Sequence, residues 1–283
     1  MVGVFRSIQS GDSDVTAAGA IGHSTNLVGV PMGFLTGVAF NDNPVPLHIA
    51  GVREMNTGLF EMLAQAEDLT DAGTAFSCYM AALFGIDPEQ QLRDGRGRRR
   101  FRSSFLDLVK GWSFDSNGAE GAVLKGWVES RFGLFPTFHQ EPIRRIASPA
   151  WTSYVEQKMS SRFHNNAIYV QLDLLFEFCQ WALSHFSASG STHVTLYRGV
   201  NGFEEHQIVT RIDKRHCIIR LNNLTSFTTD RSIADCFGDT ILTVRVPVPK
   251  ILFFNRLLAT HLLKSESEYL VIGGDYRVTA SYF

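Results

Sequence analysis

The spacing of apolar residues changes character part-way along the chain. From Leu59 onward it is helical. Leu59, Met62, Leu63 and Ala66 fall on one face, and Phe76, Tyr79, Met80 and Leu83 form a second stripe. Asp87-Pro88 breaks the pattern, and it resumes over 104–112, 117–131 and 150–160. The clearest helix covers 167–187. There Ile168, Leu172, Leu175, Phe176, Cys179, Leu183 and Phe186 recur at steps of three and four, with Asp173, Glu177 and Gln180 elsewhere on the wheel. Ser187-Ala188-Ser189-Gly190-Ser191 ends it. Upstream, residues 21–55 mix Gly, Pro, Asn and short apolar runs, which predicts irregular structure with turns at Asn43-Pro44 and Pro46. After Gly190 the runs shorten. HVTLYR, QIVTRI, HCIIRL, TILTVRV, KILFFN, EYLVIG and YRVTASY read as strands rich in Val, Ile, Leu and aromatics.

This order predicts an α+β protein. A loose arm over 1–21 precedes a mainly helical region over 22–189, and a β-rich region follows over 190–283. No long Pro/Gly/Ser linker divides the two regions, so one fused unit is expected. The first twenty residues lack the apolar run of about 7–15 residues that a secretory signal needs. No stretch approaches the roughly 20 apolar residues of a membrane span.

Composition narrows the function classes. Hydrophobic residues make up 45%, which excludes a mostly disordered or fibrous chain, and 22 Phe with 4 Trp supply a substantial core. The 26 Lys+Arg against 28 Asp+Glu leave a net charge of −2, so no general attraction to nucleic acid or an anionic membrane is expected. One local exception is Arg93 to Arg102, where Arg93, Arg96, Arg98, Arg99, Arg100 and Arg102 face only Asp94. It reads as a solvated loop or as a docking site for an acidic partner; nucleic acid is a weak third choice, with Phe101 the only interleaved aromatic. Cys78, Cys179, Cys217 and Cys236 form no CxxC pair, and no histidine spacing matches a zinc motif. A metal site is not expected, and scattered thiols suit a reducing, cytoplasmic setting. There is neither a P-loop nor a Rossmann glycine fingerprint.

Three motifs of the β-rich region carry candidate chemistry. Leu196-Tyr197-Arg198-Gly199 ends a strand. An arginine fork holds a diphosphate, and a following glycine admits close backbone approach, although a lone strand-end arginine is usually a surface residue. Ser226-Phe227-Thr228 puts two hydroxyls on one strand face and leads into Ala234-Asp235-Cys236-Phe237-Gly238. The plainer reading is a strand followed by a helix with a Ser/Thr cap. Glu266 and Glu268 stand two apart at a strand entrance. Their mutual repulsion is a cost unless a cation or cationic transition state sits between them; otherwise they are an exposed polar edge.

In this order, the three motifs resemble the R-S-E core of mono-ADP-ribosyltransferases, specifically the arginine-modifying branch that carries Glu-x-Glu. The segments GHSTNLVGVP, FNDNPVPLHIAGVREMN, RFRSSFL and FDSNGAEGAVLKGWVESRFGLFPTFH extend the likeness. Over nearly the whole chain from about residue 22 it is similar to the NAD(+)–dinitrogen-reductase ADP-ribosyltransferases of nitrogen-fixing bacteria. The common Ser-Thr-Ser is here Ser226-Phe227-Thr228, which makes Ser226 the better candidate of the two hydroxyls.

The resemblance implies a transferase that moves ADP-ribose from NAD to an arginine of the nitrogenase iron protein, releasing nicotinamide and switching nitrogenase off. NAD is then a consumed substrate. By the family pattern Glu268 stabilises the ribose cation, Ser226 holds Glu268, Arg198 clamps the phosphates, Gly199 positions the nicotinamide amide, and Glu266 receives the acceptor guanidinium. Thr228 and Phe237 are further candidates for the NAD pocket, with core packing the other reading of Phe237. The segment 257–265 would meet the target protein, and a PII-type signalling protein would regulate the enzyme. The alternatives are an NAD glycohydrolase, which would need no guanidinium-binding Glu266, and a non-catalytic regulatory module on the same fold.

Overall fold

A computed structural model describes residues 26–86, 104–160, 163, 165–186, 190–203, 207–258 and 267–282. The expected arm over 1–21, the break at Asp87-Pro88, the Arg93 to Arg102 segment, Glu266 and most of 257–265 lie outside the described residues.

The first described elements correct the expectation of irregular structure over 21–55. Three single-turn helices occur there: α1 (Met32–Leu35), α2 (Val38–Asp42) and α3 (Val52–Met55). Turns this short do not persist on propensity alone and rely on tertiary packing. Leu35 and Phe40 are fully buried, and the amide of Asn41 donates to the backbone carbonyl of Asp275 at 2.9 Å. Then come α4 (Thr57–Leu63) and α5 (Leu69–Phe84). Asp68 caps α5 by accepting from the Asp71 amide. Phe76 and Met80 of the expected stripe are buried, but Leu83 and Met62 are exposed.

The longer helices run α6 (Phe105–Phe114), α7 (Ala119–Phe132), α8 (Pro149–Ser160) and α9 (Asn166–Phe186), close to the sequence expectation. A two-stranded ribbon, β1 (Phe138–His139) and β2 (Glu141–Pro142), precedes α8. Helix α9 is buried from 171 to 183. Leu172, Leu175, Phe176 and Cys179 are fully buried, and the polar Gln171, Asp173, Glu177 and Gln180 are buried beside them. Buried charges need partners, and each is supplied by another element. Arg131 reaches Asp173 through two hydrogen bonds of 2.7 and 2.8 Å, Arg53 and the Ile49 amide donate to Glu177, and Gln180 donates to the carbonyl of Ile251.

The β-rich region comprises β3 (His193–Val200), β4 (Ile208–Arg211), β5 (His216–Thr228), the short helix α10 (Arg231–Asp235), β6 (Thr240–Pro247), β7 (Ile251–Phe254) and β8 (Glu268–Tyr282). Two expected strand pairs are in fact single long strands. HCIIRL continues through a bulge between Leu221 and Leu224 into the Ser226 motif, and EYLVIG continues through Gly273-Gly274 into YRVTASY. All pairings are antiparallel, in the order β4-β5-β3-β6-β8-β7 with β5 also pairing β8 along its length. The sheet therefore curls into a circuit β5-β8-β6-β3 that closes on itself at one register pair, Tyr197↔Thr228. A contiguous apolar cluster joins Phe76, Leu124 and Phe176 of the helices to Leu196, Leu270 and Val278 of the sheet.

Candidate active site

The closure point of the sheet brings the three sequence motifs together. Thr228 pairs with Tyr197 on one side and with Glu268 on the other, so the ends of β3, β5 and β8 lie side by side. Sheet register thus dictates the meeting of Arg198, Ser226 and Glu268. They border a cavity of about 370 Å³, whose opposite wall comes from Trp112 to Ser116 at the end of α6 and from α10 with Phe237.

Glu268 is almost fully buried at the entrance of β8 and accepts a 2.5 Å hydrogen bond from the Ser226 hydroxyl. Ser226 in turn accepts from the indole N–H of Trp112 at 2.7 Å. Arg198 donates to the main-chain carbonyl of Ser226 at 2.8 Å, which fixes the guanidinium across β3 and β5. Burial draws that guanidinium below its usual value, and the Glu268 carboxylate opposes the shift. It remains a cation.

Arg198 also borders a second cavity of about 490 Å³, which shares Trp112, Ser116 and Ser226 with the first. Lys125, Arg144 and Arg220 line it. Arg220 is held by Asp275 through a bidentate pair of 2.6 and 2.8 Å. Lys125 is buried and donates to the Asn117 side chain, to the Phe138 carbonyl and to Nδ1 of His139. A neutral His139 that donates Nε2–H to Gln157 presents Nδ1 as an acceptor for that contact. Burial pulls the Lys125 ammonium down to about 7, against the pull of Asp115, and also lowers His139. The two cavities together offer a carboxylate at one end and a positively charged lining at the other, which suits an elongated ligand with phosphates in its middle.

Gly199 lines the first cavity, and its reason for being glycine is visible. A Cβ there would lie 2.0 Å from the carbonyl oxygen of Ala234. A Cβ on Gly238 would lie 2.3 Å from the Val200 backbone. The two glycines let α10 press directly onto β3, so part of the close approach expected for a ligand is made by the protein itself. Asp230, not a Ser or Thr, caps α10 by accepting from the Ser232 amide.

Thr228 borders the cavity and is 7% exposed; its hydroxyl accepts from the Asp230 amide. Phe237 is 56% exposed at the cavity wall and is not a core residue, whereas Ala234 of the same turn is buried. Glu266 lies outside the described residues. Sequence reasoning missed Trp112 and Phe114. Trp112 shares the apolar spacing of Phe105, Leu108 and Val109 and reads as core. The only hint was that a buried indole N–H requires an acceptor. Phe114 is 79% exposed at the mouth.

The family model described as Dinitrogenase reductase ADP-ribosyltransferase (DRAT) matches residues 25–280. The chain belongs to this family. Among its relatives is the NAD(+)--dinitrogen-reductase ADP-D-ribosyltransferase of Rhodospirillum rubrum, 65% identical over 265 residues, which are 93% of this chain and 96% of that protein. No solved structure matches the chain. The match to the dinitrogenase reductase ADP-ribosyltransferase family spans the helices as well as the sheet, so both walls of the cavity fall inside it. Among the described residues no cluster of three or more His, Cys, Asp or Glu could hold a metal ion, and no helix is long and apolar enough to cross a membrane.

Proposed function

We propose that this chain transfers ADP-ribose from NAD to an arginine of the nitrogenase iron protein and thereby switches nitrogenase off. The observation that carries this reading is the Ser226–Glu268 hydrogen bond beside Arg198 in a cavity of a dinitrogenase reductase ADP-ribosyltransferase family member.

The reaction breaks the bond between the ribose anomeric carbon and the nicotinamide nitrogen. The bonding pair leaves with nicotinamide, and cationic character builds on the ribose, as in other glycosyl transfers. A carboxylate fixed in advance at that point stabilises the transition state more than bound NAD. Glu268 takes this role, and the Ser226 hydroxyl fixes its direction. Arg198, between the two cavities, holds the diphosphate, so the nicotinamide end enters the cavity of Glu268 and the adenylate end lies toward Lys125, Arg144 and Arg220. The Gly199 backbone, Thr228 and Phe237 border the nicotinamide. A free guanidinium is a poor nucleophile because its pKa is above about 12. Glu266 accepts its hydrogen bonds and draws off one proton as the new C–N bond forms.

The cytoplasm suits this chemistry, and the four cysteines are free thiols. A PII-type signalling protein as regulator follows from the family likeness. The test mixes the protein with labelled NAD and purified nitrogenase iron protein, then follows nicotinamide release and labelled product together, with mass mapping of the acceptor. Equal yields on an arginine are expected. Nicotinamide without label would replace the reading by NAD hydrolysis. Glu266→Gln should lower labelling by about 10²-fold, the usual scale of lost acid–base help, while slow NAD hydrolysis persists.

A further inference from the structure

Helix α6 meets the catalytic strands at one polar point. Trp112 is 4% exposed, and its indole N–H reaches Ser226 Oγ at 2.7 Å. A serine hydroxyl has one proton and two lone pairs, whereas an indole N–H can only donate. The indole therefore occupies a lone pair of Oγ, and the hydroxyl proton is left for Glu268, where the 2.5 Å contact lies. Without the indole the hydroxyl could rotate and accept from elsewhere, since a serine rotor has several low-energy positions.

The indole is itself held from behind. Lys125 Nζ lies 5.9 Å from the ring centroid, and that ammonium is tied to Asn117, Phe138 and His139. The carbonyls of Lys125 and Leu134 both accept from the Asn223 amide, so the element behind Trp112 is fastened to the strand that carries Ser226. The distance between indole and hydroxyl is thus set by a connected frame of buried polar groups.

We propose that Trp112 is a positioning residue of the transfer reaction: its N–H orients the Ser226 hydroxyl toward Glu268 and so holds the carboxylate in the direction the cationic ribose requires. This role rests on Glu268 acting at the ribose, as proposed above. It assigns to the helical region a part in the chemistry that the three sheet motifs do not reveal.

The test is a cycle between positions 112 and 226, read by nicotinamide release. Trp112→Phe keeps an aromatic ring and removes the N–H. It should lower kcat about tenfold, on the scale of one buried hydrogen bond, with KM for NAD within about twofold. In a Ser226→Ala background the same substitution should add less than about twofold, because its only route to Glu268 is already cut. A second variant places benzothienylalanine at 112, which keeps the bicyclic shape with sulfur in place of N–H; it should reproduce both results with a melting temperature within about 4 °C of the parent. Losses that multiply in the double variant, or full kcat with benzothienylalanine, would overturn the role of Trp112. Glu268→Gln in parallel separates the two levels. If that enzyme is inactive while the 112 and 226 losses multiply, Trp112 alone is misassigned. If it releases nicotinamide normally, the ribose role of Glu268 falls, and Trp112's role with it.

Discussion

Two tryptophans of this protein each donate their indole N–H into a short polar relay ending at a buried carboxylate. In the helical region Trp127 donates to Asp173 at 2.7 Å, and Arg131 closes the relay with two further hydrogen bonds to the same carboxylate. At the sheet, Trp112 donates to Ser226 and Ser226 to Glu268. The donors, distances and burial are alike. What differs is the terminus. Asp173 faces a fixed guanidinium from a neighbouring helix, while Glu268 faces a cavity beside Arg198. A carboxylate neutralised by its own protein is costly to strip of its partner, because the remaining charge stays buried. One that borders a cavity keeps its field for a bound ligand. Residue type and burial alone do not separate the two.

The comparison breaks most readily at Glu268. Glu268→Gln should lower nicotinamide release by about 10²–10³-fold, the scale of removing a preorganised electrostatic group. Its unfolding midpoint in urea should stay near that of the parent. A large stability loss with modest loss of turnover would make Glu268 a structural acid like Asp173.

Asp173→Ala should show the opposite pattern. It leaves Arg131 and the Trp127 N–H without their acceptor, and breaking a buried pair from one side costs about 3–5 kcal/mol. Urea unfolding reads that loss, and nicotinamide release per folded molecule checks that the site is spared. A specific loss of turnover at unchanged stability would couple the two relays.

The smallest effect concerns a buried cation. Lys250 is fully buried, with Phe40 and Tyr276 rings 5.2 and 4.8 Å from its ammonium. Burial lowers it from 10.5 to about 7, with Asp275 opposing. The folded value lies below the unfolded one, so between these pH values the unfolded chain binds the extra proton. Stability therefore rises with pH across that window, by up to about 1.4 kcal/mol per pH unit for one proton. Lys125, also lowered to about 7, adds a second contribution of the same sign. Lys250→Met should remove its share and flatten the rise without abolishing it. Urea midpoints at pH 7 and pH 9 measure the slope, and an unchanged slope would mean that Lys250 keeps its proton when buried.

The long helices were legible in the sequence because burial on one face forces a period of three to four residues. The site was legible in outline because Arg198, Ser226 and Glu268 each sit at the end of a strand, where register rather than loop geometry places them. Two features were hidden, for physical reasons. Asn222-Asn223 and Gly273-Gly274 look like turn punctuation and divide each long strand on paper. In the fold they face one another: a Cβ on Gly273 would lie 1.7 Å from the Asn222 carbonyl oxygen, and Asn223 turns inward to the Lys125 and Leu134 carbonyls. The interruptions compensate each other across the pair, and both strands run on. Likewise, the polar positions of α9 gave no sign of burial, because their partners Arg53 and Arg131 come from distant segments.

The circuit of strands also has a consequence in time. The relay at the site joins residues 114 apart, Trp112 to Ser226, and 42 apart, Ser226 to Glu268. Such contacts form late, after the loops between them have closed, and helices made of local contacts form sooner. By this rule the helices are expected to form before Glu268 is aligned, which pulsed hydrogen exchange during refolding would check. On the proposed role of Glu268, cleavage of NAD has to wait until these strands have met.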